Sequence, residues 1–338
     1  MKKKHWLIAG ILAIVTFLLG LLANSIMNRS QEAEFIAKGG NNLPDQECKN
    51  ELFAPFYPRQ YDSWRATADT TFRSRYMSSQ DDDLLALRPE MVVLWAGYAF
   101  SKGYNAPRGH MHAIEDVTKI LRTGAPTDST HSPQSGTCWT CKSPDVPRLM
   151  KKVGLDNYYS APWDKWGNEI VNPIGCATCH NTKTMKLEIH QPALVEAFER
   201  QGKDINNATH QEMRSLVCAQ CHVEYYFKGD KKHLTFPWDK GMTIEKMEEY
   251  YDAEGWTDYV HPLSRTPILK AQHPDYELSQ LGIHGQRGVS CADCHMPYKT
   301  DGAVKFSDHH ISSPLRNVSA SCQTCHRQSE EELVKNVY

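Results

Sequence analysis

Cys176-Ala-Thr-Cys179-His180 is the first of four short stretches that share one pattern and together decide the fold. The other three are Cys218-Ala-Gln-Cys221-His222, Cys291-Ala-Asp-Cys294-His295 and Cys322-Gln-Thr-Cys325-His326. Ten of the 11 cysteines in this chain of 338 residues lie in C-x-x-C pairs, and only Cys48 is left over. A disulfide framework is typical of secreted chains shorter than about 100 residues, and its spacings are rarely so uniform. The pairs therefore predict cofactor or metal chemistry.

C-x-x-C-H is the attachment signature of c-type haem. The two thiols form thioethers with the porphyrin vinyl groups, and the adjacent imidazole reaches the iron as the proximal ligand. Zinc knuckles and redox dithiols share the C-x-x-C core, but they give no reason for a histidine after every pair. Four copies therefore predict four covalently attached haems.

The fifth pair, Cys138-Trp-Thr-Cys141-Lys142, has lysine in place of histidine. An amine ligates iron only when it is deprotonated, which metal coordination and burial both promote. A haem with two histidine ligands is saturated and suits electron transfer, whereas one with an open distal position can bind and reduce a substrate. We predict a fifth haem ligated by Lys142, with the open position on that haem.

Four stretches of this sequence resemble one family of enzymes. They are C-W-T-C-K-S-P-D-V at 138–146, Leu121-Arg122-Thr123-Gly124-Ala125-Pro126, C-A-Q-C-H-V-E-Y-Y-F at 218–227 and Leu269-Lys270-Ala271-Gln272-His273-Pro274. From about Tyr61 to His326 the chain resembles the pentahaem cytochrome c nitrite reductases, which form ammonia from nitrite. The resemblance implies a mainly α multihaem cytochrome c fold with long loops and little β structure. It also implies five covalent haem c groups, calcium, and six-electron reduction of nitrite to ammonium at the Lys142-ligated haem.

The resemblance assigns Arg122, Tyr225 and His273 to the distal pocket of that haem. Arg122 offers a fixed cationic fork to an anionic substrate. His273 can donate hydrogen bonds and protons near neutral pH, and Tyr225 offers a neutral phenol donor.

A calcium site beside this pocket is also implied by the resemblance. Its ligands are expected to be the side chains of Glu224 and Gln272 and the backbone carbonyls of Tyr225 and Lys270. All are hard oxygen donors, which calcium prefers. The ion would hold Tyr225 in place and add positive field near an incoming anion.

Three distal histidines also follow from the resemblance. His110 is expected opposite His222, His284 opposite His326, and His309 opposite His180. The neighbour of His309, His310, remains an alternative because the loop length is uncertain.

The haem of His295 has no expected partner within this sequence. In the family that ligand lies beyond the fifth motif, in a C-terminal helical region that also forms the dimer interface. Ser329-x-x-Glu332 is a capping box that predicts a helix beginning near Glu330, and the sequence ends at Tyr338. We therefore expect that helical region to be missing here.

The first 30 residues predict a signal peptide or an N-terminal membrane anchor. Lysines occupy positions 2–4, and Trp6 to Ala23 is an apolar run. This run is long for a signal h-region and long enough to span a bilayer, so both readings stay open. In either case, residues after about 30 are exported. The prediction is a periplasmic protein, with residues 6–26 as a candidate anchor, 31–60 as a polar linker and 61–338 as the pentahaem catalytic domain.

Partners follow from the resemblance and from the charge. Family members are usually homodimers, and their electrons come from a membrane quinol dehydrogenase cytochrome or a soluble multihaem cytochrome. A formal net charge of −2 argues against nucleic acid as a partner. Two alternatives stay open: a multihaem electron-transfer cytochrome, and a related enzyme that reduces hydroxylamine or a sulfur oxyanion.

Local patterns predict several further features. Thr209-x-x-Glu212 is a capping box that predicts a helix running into Cys218, while 194–200 and 244–251 also look helical. The apolar stretch from Met91 to Phe100 is predicted to pack inside, and Cys48 is expected to be a lone thiol in the linker.

Overall fold

The computed structural model describes residues 2–40, 43–76, 78–123, 134–302 and 304–338. In this part of the chain the α-helices are α1 (Lys2–Gly40), α2 (Pro58–Arg65), α3 (Leu84–Leu87), α4 (Glu90–Leu94), α5 (Ala113–Thr118), α6 (Asp145–Val153), α7 (Leu155–Ser160), α8 (Cys176–Cys179), α9 (Pro192–Arg200), α10 (His210–Ala219), α11 (Ile244–Glu254), α12 (Asp275–Leu281), α13 (Ile283–Gln286), α14 (Cys291–His295), α15 (Val318–Ser321) and α16 (Glu330–Val337). Short 3-10 helices occupy Asn50–Phe53, Ala66–Ala68, Ala99–Lys102, His110–His112, Leu121–Thr123, Gly136–Trp139, Trp163–Trp166, Ile205–Asn207 and Pro314–Arg316.

Within the described ranges the strands are short and form three separate antiparallel pairs. They are β1 (Tyr226–Lys228) with β2 (His233–Thr235), β3 (Tyr259–Val260) with β4 (Pro267–Ile268), and β5 (Tyr298–Asp301) with β6 (Val304–Ser307). The predicted mainly α class with little β structure is confirmed.

Helix starts follow the capping residues read from the sequence. The backbone N–H of Glu212 donates to Thr209 Oγ1 at 3.2 Å, and the N–H of Thr209 donates to Glu212 Oε2 at 2.7 Å, which starts α10. Ser329 accepts from the N–H of Glu332 at 3.2 Å and starts α16. The helices predicted at 194–200 and 244–251 correspond to α9 and α11.

An aromatic core surrounds the first C-x-x-C pair. Trp139, between Cys138 and Cys141, is fully buried and stacks on Trp163 at a ring-centroid distance of 4.8 Å. Its indole N–H donates to the Trp163 carbonyl at 2.8 Å, so the polar edge of the buried ring is satisfied. Trp238, Tyr158, Tyr159 and Phe236 are also fully buried in this core. The pair is thus attached to a rigid part of the molecule.

The segment 31–60 differs from the expected linker. Helix α1 continues to residue 40, and Leu43, Phe53 and Tyr57 form a small buried cluster. Removing these apolar side chains from water lowers the free energy, which favours the packed cluster over an extended linker. Cys48 is also buried; its thiol donates to the Pro144 carbonyl at 3.3 Å, and burial raises its pKa to about 12.

The prediction that Met91–Phe100 packs inside is largely wrong. Helix α4 is a single turn that leaves the Val93 side chain 62% exposed and Leu94 exposed as well. Only Trp95 is buried, where it lies edge-on to Phe100 at a ring-centroid distance of 5.7 Å. No residue of α4 itself is buried, because the side chains that pack inward belong to Trp95 and the aromatic residues that follow the helix.

One helix of the described residues is long and apolar enough to cross a membrane. It covers Lys4–Met27 within α1 and has no residue buried in the protein. By length and composition it fits either a spanning helix or a signal sequence.

Candidate haem and substrate site

None of the eleven cysteines forms a disulfide, so the thiols of all five pairs are available for haem attachment. The thiols of Cys141 and Cys221 lie close enough to shift each other's pKa in opposite directions, as do those of Cys218 and Cys291. The Ser321 hydroxyl, next to the fifth pair, donates to the Cys294 carbonyl at 2.8 Å. The fold therefore arranges the pairs in the order first, third, fourth, fifth.

Two buried glutamines join the second pair to this series. Gln220, which is 1% exposed, accepts from the backbone N–H groups of His190 and Gln191 and donates to the Thr178 carbonyl at 3.2 Å. The Gln191 side chain donates to the Thr140 carbonyl at 2.7 Å. Thr140, Thr178 and Gln220 are interior residues of the first, second and third pairs, so these amides fix three attachment sites relative to one another.

The histidines of three motifs are oriented for metal binding. The Nδ1–H of His180 donates to the Met185 carbonyl at 2.8 Å, and that of His295 to the Ser312 carbonyl at 2.9 Å. A carbonyl only accepts, so Nε2 of each ring keeps its lone pair. His222 Nδ1 lies 3.0 Å from the Asp275 carboxylate, the arrangement that metal-bound histidines commonly show.

Two pairs of imidazoles face each other at a separation that fits one metal ion between them. The ring centroids lie 6.3 Å apart for His180 and His309, and 6.0 Å apart for His284 and His326. A histidine nitrogen lies about 2 Å from its metal, and with about 1 Å more to each ring centre this predicts about 6 Å. The C-x-x-C pairs next to His180 and His326, together with these facing imidazoles, fit covalently attached haem.

Two further distal histidines lie in different surroundings. His110 is half-buried near His222 and Lys142, and removal of water from the ring, followed by these neighbours, lowers its pKa to about 4. His310 does not face His180; it lines a cavity of about 200 Å³ with His295 and Arg316. The structure thus places His309, and not His310, opposite His180.

Tyr225, His273 and Arg122 come together on the side of the first pair. The rings of Tyr225 and His273 meet edge-on, with centroids 5.6 Å apart. The pKa of Arg122 is lowered by burial and raised, to a smaller extent, by nearby Cys138 and Tyr225. Among the described residues no carboxylate pairs with Arg122, so its fork is free to bind an anion.

The His273 ring is exposed to solvent on one side, while Tyr225 packs against the other. Its Nδ1 lies 3.3 Å from the Cys221 carbonyl, which fixes the ring orientation. Removal of water by the surrounding protein, and then the charge of Lys142, lower its pKa to about 4. The ring is therefore neutral at pH 7 until an anion arrives beside it.

Glu224, Gln272 and Lys270 lie together behind Tyr225. The N–H of Gln272 donates to Glu224 Oε2 at 2.6 Å, and the Tyr251 hydroxyl donates to Glu224 Oε1 at 2.9 Å. The Lys270 ammonium donates to Gln272 Oε1 at 3.1 Å. Burial raises the pKa of Glu224 to about 7, so the buried carboxyl lacks a sufficient counter-charge.

These oxygen donors fit a calcium ion. A cation beside Glu224 would reverse the rise in its pKa. The described residues hold no cluster of three or more histidine, cysteine, aspartate or glutamate side chains suited to a metal ion. The expected calcium ligands are one carboxylate, one side-chain amide and two backbone carbonyls. Such a ligand set contains only one of those side-chain types, so it is not a cluster of that kind.

Sequence reasoning missed several residues that support this region. Glu277 is 1% exposed and accepts from the Glu224 N–H at 2.9 Å and from the Trp238 indole at 2.7 Å. Asp258 accepts from the Lys270 N–H at 2.8 Å. Asp275 could have been noticed because it directly follows His273-Pro274, whereas nothing in the sequence marks Asp258 or Glu277.

The fold and these sites define a multihaem c-type cytochrome. The chain belongs to the cytochrome c552 family, whose family model matches residues 49–338. It is 62% identical over 334 residues to cytochrome c-552 of Bacteroides thetaiotaomicron, covering 98% of this chain and 68% of the relative. It is 61% identical to cytochrome c-552 of Parabacteroides distasonis, with the same coverage.

A solved structure is also similar. It is the catalytic subunit of cytochrome c nitrite reductase from Desulfovibrio desulfuricans ATCC 27774, described with two calcium sites. The sequence identity is 32% and the TM-score 0.79, covering 88% of this chain and 68% of that one. The chain thus spans about two thirds of the length of these proteins. The predicted multihaem fold and covalent haem c are confirmed.

Proposed function

We propose that this chain is an ammonia-forming cytochrome c nitrite reductase. Nitrite takes up six electrons and eight protons and gives ammonium and two water molecules. The observation that carries the proposal is the grouping of Arg122, Tyr225 and His273 beside the one pair that ends in lysine, in a chain that resembles a nitrite reductase in fold.

Cys138, Cys141 and Lys142 would hold the catalytic haem. When bound, the haem would supply the redox chemistry and a coordination position for the substrate. Arg122 binds the anion and stabilises negative charge as N–O bonds break. The charge of the bound anion raises the pKa of His273, which then takes up protons from solvent and passes them on, while Tyr225 donates a hydrogen bond from its phenol.

The other four motifs would carry electrons to this site. One haem would be held by Cys176, Cys179 and His180, with His309 on its other side. A second would be held by Cys218, Cys221 and His222, with His110. A third would be held by Cys322, Cys325 and His326, with His284. Cys291, Cys294 and His295 hold the fourth of these haems. The closeness of Cys141 to Cys221 and of Cys218 to Cys291 supports short transfer distances between the haems of the first, third and fourth pairs.

Calcium would bind the Glu224 and Gln272 side chains and the carbonyls of Tyr225 and Lys270. The raised pKa of Glu224 supports this, because it shows a need for positive charge. The ion would fix the backbone of Tyr225 and strengthen the positive field toward nitrite.

The family is typically periplasmic, and the apolar helix within α1 is compatible with a signal or an anchor. We propose that it holds the protein to the outer face of the cytoplasmic membrane. A membrane quinol dehydrogenase cytochrome or a soluble multihaem cytochrome would supply electrons, and two copies would form a homodimer.

The test is nitrite-dependent oxidation of reduced viologen by the haem-loaded protein, with ammonium measured as product. Parallel assays use hydroxylamine and sulfite. Stoichiometric ammonium from nitrite supports the proposal. Haem reduction and reoxidation without ammonium would identify an electron-transfer cytochrome instead, and faster turnover with sulfite would assign another substrate.

A further inference from the structure

Phe100 lies at the centre of an aromatic cluster made of Trp95, Tyr98, Phe100, Tyr104 and Tyr259. Its ring stacks on Tyr98 at a centroid distance of 5.0 Å and meets Tyr104 at 5.5 Å. Tyr98 in turn stacks on Tyr259 at 4.9 Å. These contacts leave the Phe100 ring little freedom to turn.

Two cations share the Phe100 ring. Arg122 Cζ lies 4.2 Å from the ring centroid, and Lys270 Nζ lies 4.6 Å from it. A cation within about 6 Å of an aromatic centroid is attracted by the negative ring face, and more strongly where water is excluded. Arg122 also lies 5.9 Å from the Tyr104 centroid, so Phe100 is the nearer of its two aromatic partners.

No carboxylate among the described residues competes with these rings for Arg122. Ion pairs hold other arginines of the chain, such as Arg108 with Asp116 at 2.6 Å and Arg200 with Asp239 at 2.7 Å. A carboxylate at Arg122 would occupy the donors that an anionic substrate needs. An aromatic face fixes the guanidinium and leaves those donors unused.

We propose that Phe100 is a positioning residue that sets the preference of the site for anions over neutral substrates. Its ring holds the Arg122 fork in place and lets a second cation, Lys270, lie close by. The inference rests on the proposed function, in which Arg122 binds nitrite. Without the ring, nitrite binding must also meet the entropy cost of ordering the long Arg122 side chain. The repulsion between Arg122 and Lys270 is then no longer offset by their attraction to the ring.

The experiment compares Phe100→Leu with Phe100→Tyr, which keeps the ring face, in the haem-loaded protein. Tyr259→Leu is the matched control, because it removes a ring of the same cluster for which the described residues show no cation contact. A second non-aromatic variant, Phe100→Met, replaces Phe100→Leu should the latter lose haem. Measured quantities are KM and kcat for nitrite and for hydroxylamine, which is largely uncharged at pH 7.5, and the dissociation constant of nitrite from haem absorbance of the oxidised protein.

In Phe100→Leu we expect the nitrite KM and dissociation constant to rise about five- to thirtyfold, which corresponds to about 1–2 kcal/mol. The hydroxylamine KM stays within about twofold, and Phe100→Tyr restores nitrite binding. An unchanged nitrite KM, an equal loss for both substrates, or the same loss in Tyr259→Leu overturns the inference. A wild-type protein that forms no ammonium overturns the proposed function, whereas the binding titration still tests Phe100.

Discussion

The surroundings of Lys142 and of His180 show how one attachment pattern can serve two purposes. His180 faces a second imidazole, that of His309, at a ring-centroid distance of 6.3 Å, so these two rings would together hold one haem iron. On the side of Lys142 the chain instead provides the Arg122 fork and the edge-on pair of Tyr225 and His273. We therefore propose that the side chains opposite Lys142 and His180, more than the thiols, decide whether a haem binds substrate or transfers electrons.

Removing the anion-binding group should have the largest effect. We expect Arg122→Gln to lower kcat/KM for nitrite about 100- to 1000-fold, because the site loses a preorganised cation where negative charge develops. Steady-state viologen assays measure this loss. Arg200→Gln, which changes an arginine paired with Asp239 outside the site, is the control and should retain activity. Equal activity in both variants would remove Arg122 from the mechanism.

The substitution His309→Ala should leave the haem of His180 with an open coordination position. The reduced variant should bind carbon monoxide at the haem of His180, which the wild-type haem resists, and its nitrite turnover should fall about tenfold as electron supply slows. Carbon monoxide difference spectra detect the new site. His310→Ala is the matched control, because that adjacent ring lines a different cavity. A new carbon monoxide site in His310→Ala, and not in His309→Ala, would reverse the assignment.

Calcium removal should make stability depend on pH. Burial raises the pKa of Glu224 from 4.5 to about 7, so between these values the calcium-free folded protein binds a proton that the unfolded chain has lost. Stability therefore falls as pH rises from about 4.5 to about 7 and then levels off. We expect chelator to lower Tm more at pH 7.5 than at pH 5.5, and saturating calcium to restore about 5 °C.

The control for this pH dependence is Glu224→Gln, which cannot titrate. Its calcium-free Tm should change less between pH 5.5 and pH 7.5 than that of the wild type. A wild-type Tm that ignores calcium at both pH values would argue against the site.

The smallest effect on catalysis is expected at Gln220, which ties the attachment sites together without touching the substrate pocket. Gln220→Leu orphans the N–H groups of His190 and Gln191, at about 1–3 kcal/mol each. Tm should fall by several degrees, while the nitrite KM stays within about twofold of wild type. A large rise in KM with an unchanged Tm would show that Gln220 acts on the pocket directly.

Features that depend on residues close together in the chain were predictable from the sequence. The thiols, the histidines that follow them and the caps of α10 and α16 each depend on residues fewer than five positions apart. The choice between His309 and His310 was not predictable, because it depends on which ring a loop turns toward His180. Phe100 and Glu277 were missed because their contacts join segments far apart in the chain. Met91–Phe100 was misjudged because hydrophobicity does not reveal that a short helical turn lies on the surface, with none of its residues buried.

The most direct test of the central claim is ammonium formation by Lys142→His, beside the wild type, with haem content measured by mass spectrometry. The account predicts that the variant keeps five haems and that its rate of ammonium formation from nitrite falls at least about 100-fold, because a ligand to the catalytic iron has changed. A rate like that of the wild type, with all haems present, would contradict the claim that the Lys142 haem is the catalytic centre.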